Sequence, residues 1–156
     1  MINLGFYVDD LSDQETIHMI SKEINRAKLE NKIIDASIFY NDIGPVNIPV
    51  NAGMFNSTDI WNFEGSLIVF SLTALHKALS YVNKISIYYC FGWKDFDVLD
   101  LLSCMDNDNI SVVAKDEESK KNFFRVTNRR AIAINKDIAG ITDTILEHEH
   151  ERTANH

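Results

Sequence analysis

The sequence predicts an α/β protein, a single doubly wound Rossmann-like domain with five to six mainly parallel strands and helices on both faces. Short runs of Val, Ile, Phe and Tyr recur along the chain, and each is followed by a segment with helical periodicity, which is the pattern of βαβ units. Several of these runs are apolar at every position, as expected for strands covered by helices on both faces. A chain of 156 residues has the length of one domain.

The strand candidates are short apolar runs bounded by polar segments. They are Ile2–Val8, Ile33–Tyr40, Ser66–Ser71, Ile85–Phe91, Ile110–Ala114 and Ala131–Ile134. Apolar residues at helical spacing between the runs predict crossover helices whose apolar stripes face the core. The second stripe consists of Leu72, Leu75, Leu79 and Val82, and the third of Phe96, Val98, Leu99, Leu101 and Leu102.

Two adjacent aspartates, Asp9 and Asp10, end the first strand candidate and are followed by a helix-start signal. Ser12 and Glu15 have the spacing of a capping box, in which the serine side chain binds a free backbone amide and the glutamate reaches back to the cap. The aspartates therefore have two interpretations. They form either the polar end of a strand beside a helix N-terminus or an acidic site for a metal or a phosphoryl group.

Ligands of doubly wound folds bind at the carboxyl ends of the strands, where the strand order reverses. The candidate ligand-binding residues follow the predicted strands and are Asp9, Asp10, Ser71, Trp93, Lys94 and Lys115. An indole can stack on a base or a sugar, and an ammonium group can bind a phosphate. The structural alternative places Trp93 over the end of the sheet, with Asp95 as the N-cap of the next helix. The sequence holds no Gly-rich phosphate-binding motif.

Residues 41–65 form an insertion that is too long for an ordinary crossover loop and that holds both prolines. Its apolar residues are interface candidates, namely Met54, Phe55, Ile60, Trp61 and Phe63. The segment is a flap over a pocket, a surface for a partner or a second copy of the chain, or a loop packed on its own core. In the last case Ser57 or Thr58 would cap a short helix.

The composition narrows the classes of partner. A net charge of −8 opposes binding to nucleic acids and anionic membranes and favours a basic or neutral protein partner. Cys90 and Cys104 are expected to be reduced and buried, without a metal or a cofactor. The first residues lack a basic leader, and no apolar run approaches the length of a membrane span, so we expect a cytoplasmic protein.

The remaining polar features favour structural or solvated roles. Residues 1–150 are expected to form the domain, and residues 151–156, including His156, a flexible tail. His148 and His150 are expected to be solvated, because residues two apart point to different sides of a helix. Two basic pairs, Lys120 with Lys121 and Arg129 with Arg130, are expected to solvate the surface, with an anion site near Arg129 as the alternative.

The sequence resembles two groups of proteins, one in its last third and the other over most of the chain. The stretch SVVAKDEESKKNFFRVTNRRAIAINKDIAGITDTIL, residues 111–146, resembles the end of one Rossmann half of two-domain nucleotide-sugar glycosyltransferases. That resemblance implies a single Rossmann domain related to these enzymes. The second domain, in which the family binds most of the donor nucleotide, has no counterpart in this sequence. The stretches VDDLSD, DASIFYND, GMFNSTDIWNFEG and YYCFGW resemble small proteins of cyanobacterial phages, which implies a phage-encoded protein in the host cytoplasm.

Three functional hypotheses follow from these observations. The first is a non-catalytic protein that binds a host or phage protein, or its own second copy, through the insertion. The second is a domain that binds a small molecule or a nucleotide sugar at the carboxyl ends of the strands. The third is a receiver-like module with an acidic pair and Lys115, but with Ser71 where the phosphoacceptor aspartate would stand. No complete catalytic constellation is present, so the sequence does not predict an enzyme.

Overall fold

A computed structural model describes residues 1–81 and 83–155 of the chain. In this part of the chain, seven parallel strands form a single sheet in the order β3-β2-β1-β4-β5-β6-β7. The strands are β1 (Ile2–Asp10), β2 (Ile33–Asp42), β3 (Gly53–Asn56), β4 (Gly65–Val69), β5 (Ile85–Phe91), β6 (Ile110–Ala114) and β7 (Ala133–Ile134). The prediction of a Rossmann-like α/β fold is confirmed.

Helices connect most of these strands. They are α1 (Gln14–Leu29), the 3₁₀ helix Ser57–Asn62, α2 (Leu72–Leu79), α3 (Val98–Met105), α4 (Glu117–Thr127) and α5 (Ile141–Ala154). Helices α1 and α5 cover one face of the sheet, and α2, α3, α4 and the 3₁₀ helix cover the other. The central strands are buried from both sides, which explains why their sequences are apolar at successive positions.

The predicted number of strands was too low, because β3 lies inside the insertion. Its sequence, GMFN, has no continuous apolar run, and all four of its residues are exposed. The strand is at the end of the sheet and pairs with β2 alone, from Ser37–Gly53 to Tyr40–Asn56. A strand held from one side only has little core to fill, so hydrophobicity does not reveal it.

The segment 43–52 takes the place of a crossover helix between β2 and β3. Val46, Ile48 and Val50 pack against the core on the α1 side of the sheet. The side chains of Gln14 and Ser21 in α1 donate hydrogen bonds to the carbonyl groups of the two prolines, at 2.6 and 2.9 Å. The insertion is therefore an ordered part of the domain, which passes around the edge of the sheet from one face to the other.

Two helix starts differ from the predicted ones. The N-cap of α1 is Asp13, whose carboxylate accepts hydrogen bonds from the backbone and the hydroxyl of Thr16, so the capping box at Ser12 was wrong. The N-cap of α3 is Asp97 instead of Asp95. In both places several acidic or hydroxyl residues stand close together in sequence, and each of them is a suitable cap by composition.

The burial of the predicted apolar stripe of α3 differs most from what the sequence indicated. Leu101 is fully buried as predicted, whereas Phe96, Val98, Leu99 and Leu102 are exposed. At the end of the chain, α5 continues to Ala154, where we had expected a tail from residue 151. Val82 and His156, which we assigned to the second helix stripe and to the tail, lie outside the described residues.

Candidate functional site

The strand order reverses between β1 and β4, and two of the predicted site residues meet there. Asp9 lies near the end of β1, and Ser71 follows β4 as the N-cap of α2. The Ser71 hydroxyl donates a hydrogen bond to Asp9 Oδ1 at 3.0 Å and accepts one from the backbone amide of Ala74 at 3.2 Å. Both side chains are half-buried. The geometry joins the two strand ends and starts α2.

Asp10 does not join this pair. Its carboxylate accepts a hydrogen bond from the backbone amide of Ser12 at 2.8 Å, which closes the turn after β1. Lys94 lies close to a different acid, with its ammonium group 3.3 Å from Asp13 Oδ2. Burial raises the pKa of Asp13, but the hydrogen bonds from Thr16 and the charge of Lys94 outweigh it, so that the net pKa is below its ordinary value.

Trp93 and Lys115 form a second contact at this edge of the sheet. The Lys115 ammonium group lies 4.9 Å from the centroid of the Trp93 ring, a cation–π geometry. The rings of Phe70 and Trp93 pack in a T-shaped geometry with their centroids 6.2 Å apart. Gly92 makes the turn before Trp93 with φ +102°, and a Cβ there would lie 2.5 Å from the Ser119 hydroxyl. A side chain at position 92 would therefore push α4 away from the end of β5.

The six predicted ligand-binding residues thus form four separate contacts. Asp9 binds Ser71, Asp10 accepts a hydrogen bond from the backbone of Ser12, Lys94 binds Asp13, and Lys115 lies on Trp93. Their functional groups point to one another or to nearby backbone. This arrangement favours the structural interpretation of each residue. Trp93 supplies an aromatic ring at this edge of the sheet, and Lys115 lies over that ring.

A hydrogen-bonded network beside this edge was not predicted. The Tyr7 hydroxyl donates to Asn41 Oδ1 at 2.6 Å, and Lys77 donates to the same oxygen at 3.3 Å and to the Ser57 hydroxyl at 2.8 Å. Tyr81 donates to the Ser57 carbonyl at 2.7 Å. Burial raises the pKa of Tyr7, so the phenol remains a donor at neutral pH. The network fastens the start of the 3₁₀ helix to β1, β2 and α2.

A second cluster missed from the sequence involves α5. The buried Tyr88 hydroxyl donates to Glu149 Oε1 at 2.6 Å and lies 2.9 Å from His148 Nδ1. Burial, followed by the neighbouring Glu149 carboxylate, raises the pKa of Tyr88 well above its ordinary value. A permanently protonated phenol fixes α5 to the middle of β5. The predicted solvation of His148 is therefore wrong. Its contact with Tyr88 leaves no signal in the sequence, because 60 positions separate the two residues.

The insertion presents large apolar side chains at the other end of the sheet. Met54, Phe55 and Trp61 are exposed, with Trp61 at 52% of its full exposure, and we call these three residues the insertion surface. The other two interface candidates face inward. Ile60 is fully buried in the core, and Phe63 packs edge-on against Phe39 with ring centroids 5.4 Å apart.

A cleft of about 400 Å³ adjoins the insertion surface, and its lining residues are Ser37, Phe39, Phe55, Asp59, Asn62 and Phe63. Trp61 is held in place by an edge-to-face contact with Tyr81 at 5.1 Å. Asn56 caps the 3₁₀ helix through the backbone amide of Thr58, where we had expected Ser57 or Thr58 as the cap. Phe55 and Trp61 therefore each pack against one aromatic residue of the domain and stay partly exposed.

Other classes of site are absent from the part of the chain that the structure describes. Within residues 1–81 and 83–155, no group of three or more His, Cys, Asp or Glu side chains could hold a metal ion. No helix in those ranges is long and apolar enough to cross a membrane. Cys90 and Cys104 are both buried and form no disulfide, and burial raises the pKa of the Cys90 thiol to about 12.

Comparison with protein-family models, curated proteins and solved structures gives no match for this chain. The order of the strands supplies the remaining information on architecture. The full sheet follows the 3-2-1-4-5-6 order of the dinucleotide-binding Rossmann fold, with β7 added at the end. This agreement depends on the four-residue strand β3, because the sheet without β3 has the 2-1-3-4-5 order of receiver domains followed by one more strand.

Proposed function

We propose that this protein acts through protein–protein interaction on a Rossmann-like scaffold and that its partner binds at the insertion surface. The observation that carries this proposal is the exposed edge strand β3 with Met54 and Phe55 on it and Trp61 beside it. Consecutive strand residues point to opposite faces of a sheet, so Phe55 lines the cleft and Met54 points to the other face. Large apolar side chains exposed at a sheet edge favour an interaction that covers them. The resemblance to phage proteins supports a host or phage protein as the source of the partner.

The backbone of β3 favours an extended partner segment. The strand forms its ladder with β2 on one side, and the amide and carbonyl groups of its other side have no strand partner among the described residues. Natural proteins protect such edges with charged residues, proline or covering loops. The sequence GMFN has none of these residues, so the edge can accept a further strand from another protein by β-augmentation.

The side chains around β3 favour apolar and basic residues in that segment. Trp61 and Phe55 are prepositioned by contacts with Tyr81 and Phe39, and fixed aromatic residues commonly dominate interface energies. Asp59 lines the adjoining cleft and makes no ion pair among the described residues. A Lys or Arg of the partner would complement Asp59 and the overall charge of −8.

Selection of a random displayed peptide library on the intact protein tests this proposal. We expect enriched peptides with alternating apolar residues and at least one Lys or Arg, because alternate side chains of an added strand face the cleft. Trp61→Ala should weaken binding of the selected peptides at least about tenfold. N-methylation of alternate peptide amides should abolish binding in one register only, because half of the amides of an edge strand face the sheet.

The matched control is Leu29→Ala, which removes an exposed apolar side chain from α1, away from the insertion surface, and should leave peptide binding unchanged. Selected peptides that bind the wild type and Trp61→Ala equally, or a library that yields no binder, would count against the proposal. Selected peptides whose shared apolar residues are three or four positions apart would indicate that a helix binds. That result would keep the interaction surface but exclude strand addition.

A second candidate function is binding of a small molecule or a nucleotide sugar at the carboxyl edge of the sheet. The position of Asp9 and Ser71 at the reversal of the strand order, with Trp93 on a neighbouring strand end, favours it. A ligand that binds the native state raises the melting temperature. We expect nucleoside diphosphates or their sugar esters to raise it for wild type and Trp61→Ala but not for Trp93→Ala; an equal or absent shift in all three excludes this candidate.

A further inference from the structure

Helix α4 and the loop that follows it hold a large share of the positive charge of the chain. Five of the 15 Lys and Arg residues lie within positions 120–130, in a protein whose net charge is −8. One of the five, Arg129, has a role in the fold, because its guanidinium group donates hydrogen bonds to the carbonyl groups of Met105, Asn107 and Ile110 at 3.0, 3.1 and 2.7 Å. The other four are exposed and are Lys120, Lys121, Arg125 and Arg130.

These four cations line one cleft of about 640 Å³ together with Phe124 and Glu117, and we call it the α4 cleft. Phe124 is 43% exposed, and the Arg130 guanidinium group lies 5.6 Å from the centroid of its ring, a cation–π geometry. Four cations against one carboxylate leave an excess of three positive charges in the cleft. None of the four takes part in an ion pair within the described residues. The basic residues that we expected only to solvate the surface thus converge on one apolar group.

The α4 cleft opens on the side of α4 that faces away from α3. Ser119 faces the end of β5, the strand that precedes α3, since a Cβ at Gly92 would lie 2.5 Å from its hydroxyl. Phe124 is five residues further along the helix, and at about 100° per residue its side chain points about 140° away from that of Ser119. The acids at the start of α3, Asp97 and Asp100, are accordingly not among the lining residues of the cleft.

We propose that the α4 cleft binds an acidic segment of a partner protein and that an apolar residue of this segment packs on Phe124. Clusters of basic side chains recognise acidic motifs, because guanidinium and ammonium groups form charge-assisted hydrogen bonds with carboxylates. The ring of Phe124 and the aliphatic stems of the Lys and Arg side chains supply apolar contact area below the charged groups. A segment with carboxylates on both sides of one apolar residue complements both properties of the cleft.

The position of the cations along α4 favours a protein segment over a nucleotide or another polyphosphate. Compact phosphate sites use free backbone amides at a helix N-terminus, where the helix dipole favours negative charge. The first turn of α4 instead carries Glu117 and Glu118, and Asp116 is its N-cap. The cations extend from Lys120 past the end of the helix at Thr127, about 10 Å along the axis. Charges spread over this length match the successive carboxylates of a chain better than one compact anion.

The negative charge of the whole protein is compatible with an acidic ligand at this place. Exposed charges more than about 8 Å apart are largely screened at physiological ionic strength, so a carboxylate in the α4 cleft interacts chiefly with the cations that line it. The site is independent of the proposed function, because β3 lies at one end of the sheet and α4 connects β6 and β7 at the other. The two surfaces also select segments of opposite charge, since the insertion surface adjoins Asp59.

Fluorescence anisotropy of a labelled peptide, in which one phenylalanine stands between two pairs of glutamates, tests the proposal on the intact protein. We expect saturable binding with a dissociation constant below about 1 mM. Lys121→Glu should weaken binding at least about tenfold, because it places a carboxylate against those of the peptide. Lys22→Glu is the matched control, since it makes the same charge change at an exposed position of α1 on the other face of the sheet. It should change the affinity less than about twofold, and circular dichroism should show that both variants are folded.

A second peptide, with alanine in place of the phenylalanine, locates the apolar residue of the segment. This change should weaken binding to the wild type at least about threefold but should not weaken binding to Phe124→Ala, because the two rings share one contact that is then already lost. Trp61→Ala should bind both peptides with the affinities of the wild type, so that a failure here and a failure of the proposed function remain distinguishable.

Four results would overturn the proposal. They are the absence of binding up to about 1 mM, equal effects of Lys121→Glu and Lys22→Glu, an equal loss with the alanine peptide in wild type and Phe124→Ala, and a loss of binding in Trp61→Ala. Binding of inorganic tripolyphosphate more tightly than the peptide, with loss in Lys121→Glu, would also overturn it and would assign the cleft to phosphorylated ligands.

Discussion

The carboxyl edge of the sheet and the outer surfaces of the molecule use their side chains in opposite ways. At the carboxyl edge, Asp9 binds Ser71 and Lys94 binds Asp13, so the charged groups are paired within the chain. On the outer surfaces, Trp61 and Leu99 are exposed, and the cations of α4 have no acidic partner among the described residues. The edge that a doubly wound fold offers to ligands is thus internally satisfied, and the unsatisfied groups lie elsewhere.

This difference teaches that the position of a residue in a fold does not decide its role. A carboxylate at the end of a strand can bind a ligand or hold a neighbouring helix start, and both roles need the same residue type at the same place. The geometry separates the two roles, because a group that is already hydrogen-bonded must lose that bond before it can bind a ligand. By this criterion the outer surfaces are the better sites for interaction.

The most buried charged side chain among the described residues shows the same pairing as the carboxyl edge. Glu23 in α1 is 2% exposed and binds the Arg26 guanidinium group through both carboxylate oxygens, at 2.7 and 3.1 Å. It also accepts a hydrogen bond from the backbone amide of Thr142 at 3.0 Å, in the first turn of α5. The N-cap of α5 is Gly140, which has no side chain to offer. Glu23 therefore supplies the cap of α5 from another helix.

We expect the largest effect on stability from Glu23→Ala. The substitution removes the cap of α5 and leaves Arg26 without its main partner, which should lower the free energy of unfolding by about 2–4 kcal/mol. The lower part of that range allows for the partial exposure of Arg26. Urea denaturation followed by circular dichroism measures the loss.

The control for this variant is Glu147→Ala, which removes an exposed carboxylate from α5 that makes no ion pair among the described residues. Its effect should stay within about 0.5 kcal/mol. Equal effects of the two substitutions would show that buried pairing contributes no more to stability than exposed charge does, and the comparison between paired and unpaired groups would lose its energetic basis.

The sequence was sufficient to predict the parallel sheet, because strands buried on both faces and crossover helices leave strong periodic patterns. It was insufficient for β3, whose four residues fill no core, and for the exposed side of α3. Val98 and Leu102 look like core residues by hydrophobicity, and only the position of the neighbouring helices shows that Leu101 and Cys104 occupy the core instead. Hydrophobicity identifies residues that avoid water but not the surface that covers them.

The candidate site shows the same limit in its polar residues. The predicted positions of Asp9 and Ser71 at the end of the sheet follow from strand ends, and the structure brings these two together. The contact of Glu23 with Thr142 and that of Tyr88 with His148 join residues 119 and 60 positions apart. No local spacing signals such contacts, because they depend on how α5 packs across α1 and β5.

A smaller effect is expected at the carboxyl edge, where it tests the structural role of the Asp9–Ser71 pair. Ser71→Ala removes the N-cap of α2 and the donor to Asp9, so the free energy of unfolding should fall by about 1–2 kcal/mol. Asp9→Ala should lower it by about 0.5–1.5 kcal/mol, since Ser71 keeps its bond to the Ala74 amide. Urea denaturation of both variants and of the double variant completes a thermodynamic cycle.

The coupling between the two positions distinguishes a structural pair from a binding site. A structural pair should show a coupling of about 0.5–1 kcal/mol, because the second substitution removes a hydrogen bond that the first has already broken. A binding residue is often kept at a cost in stability, so its removal stabilises the protein. A gain of stability in Asp9→Ala would therefore contradict the structural role of the pair. It would make the carboxyl edge beside Trp93 the first place to look for a ligand.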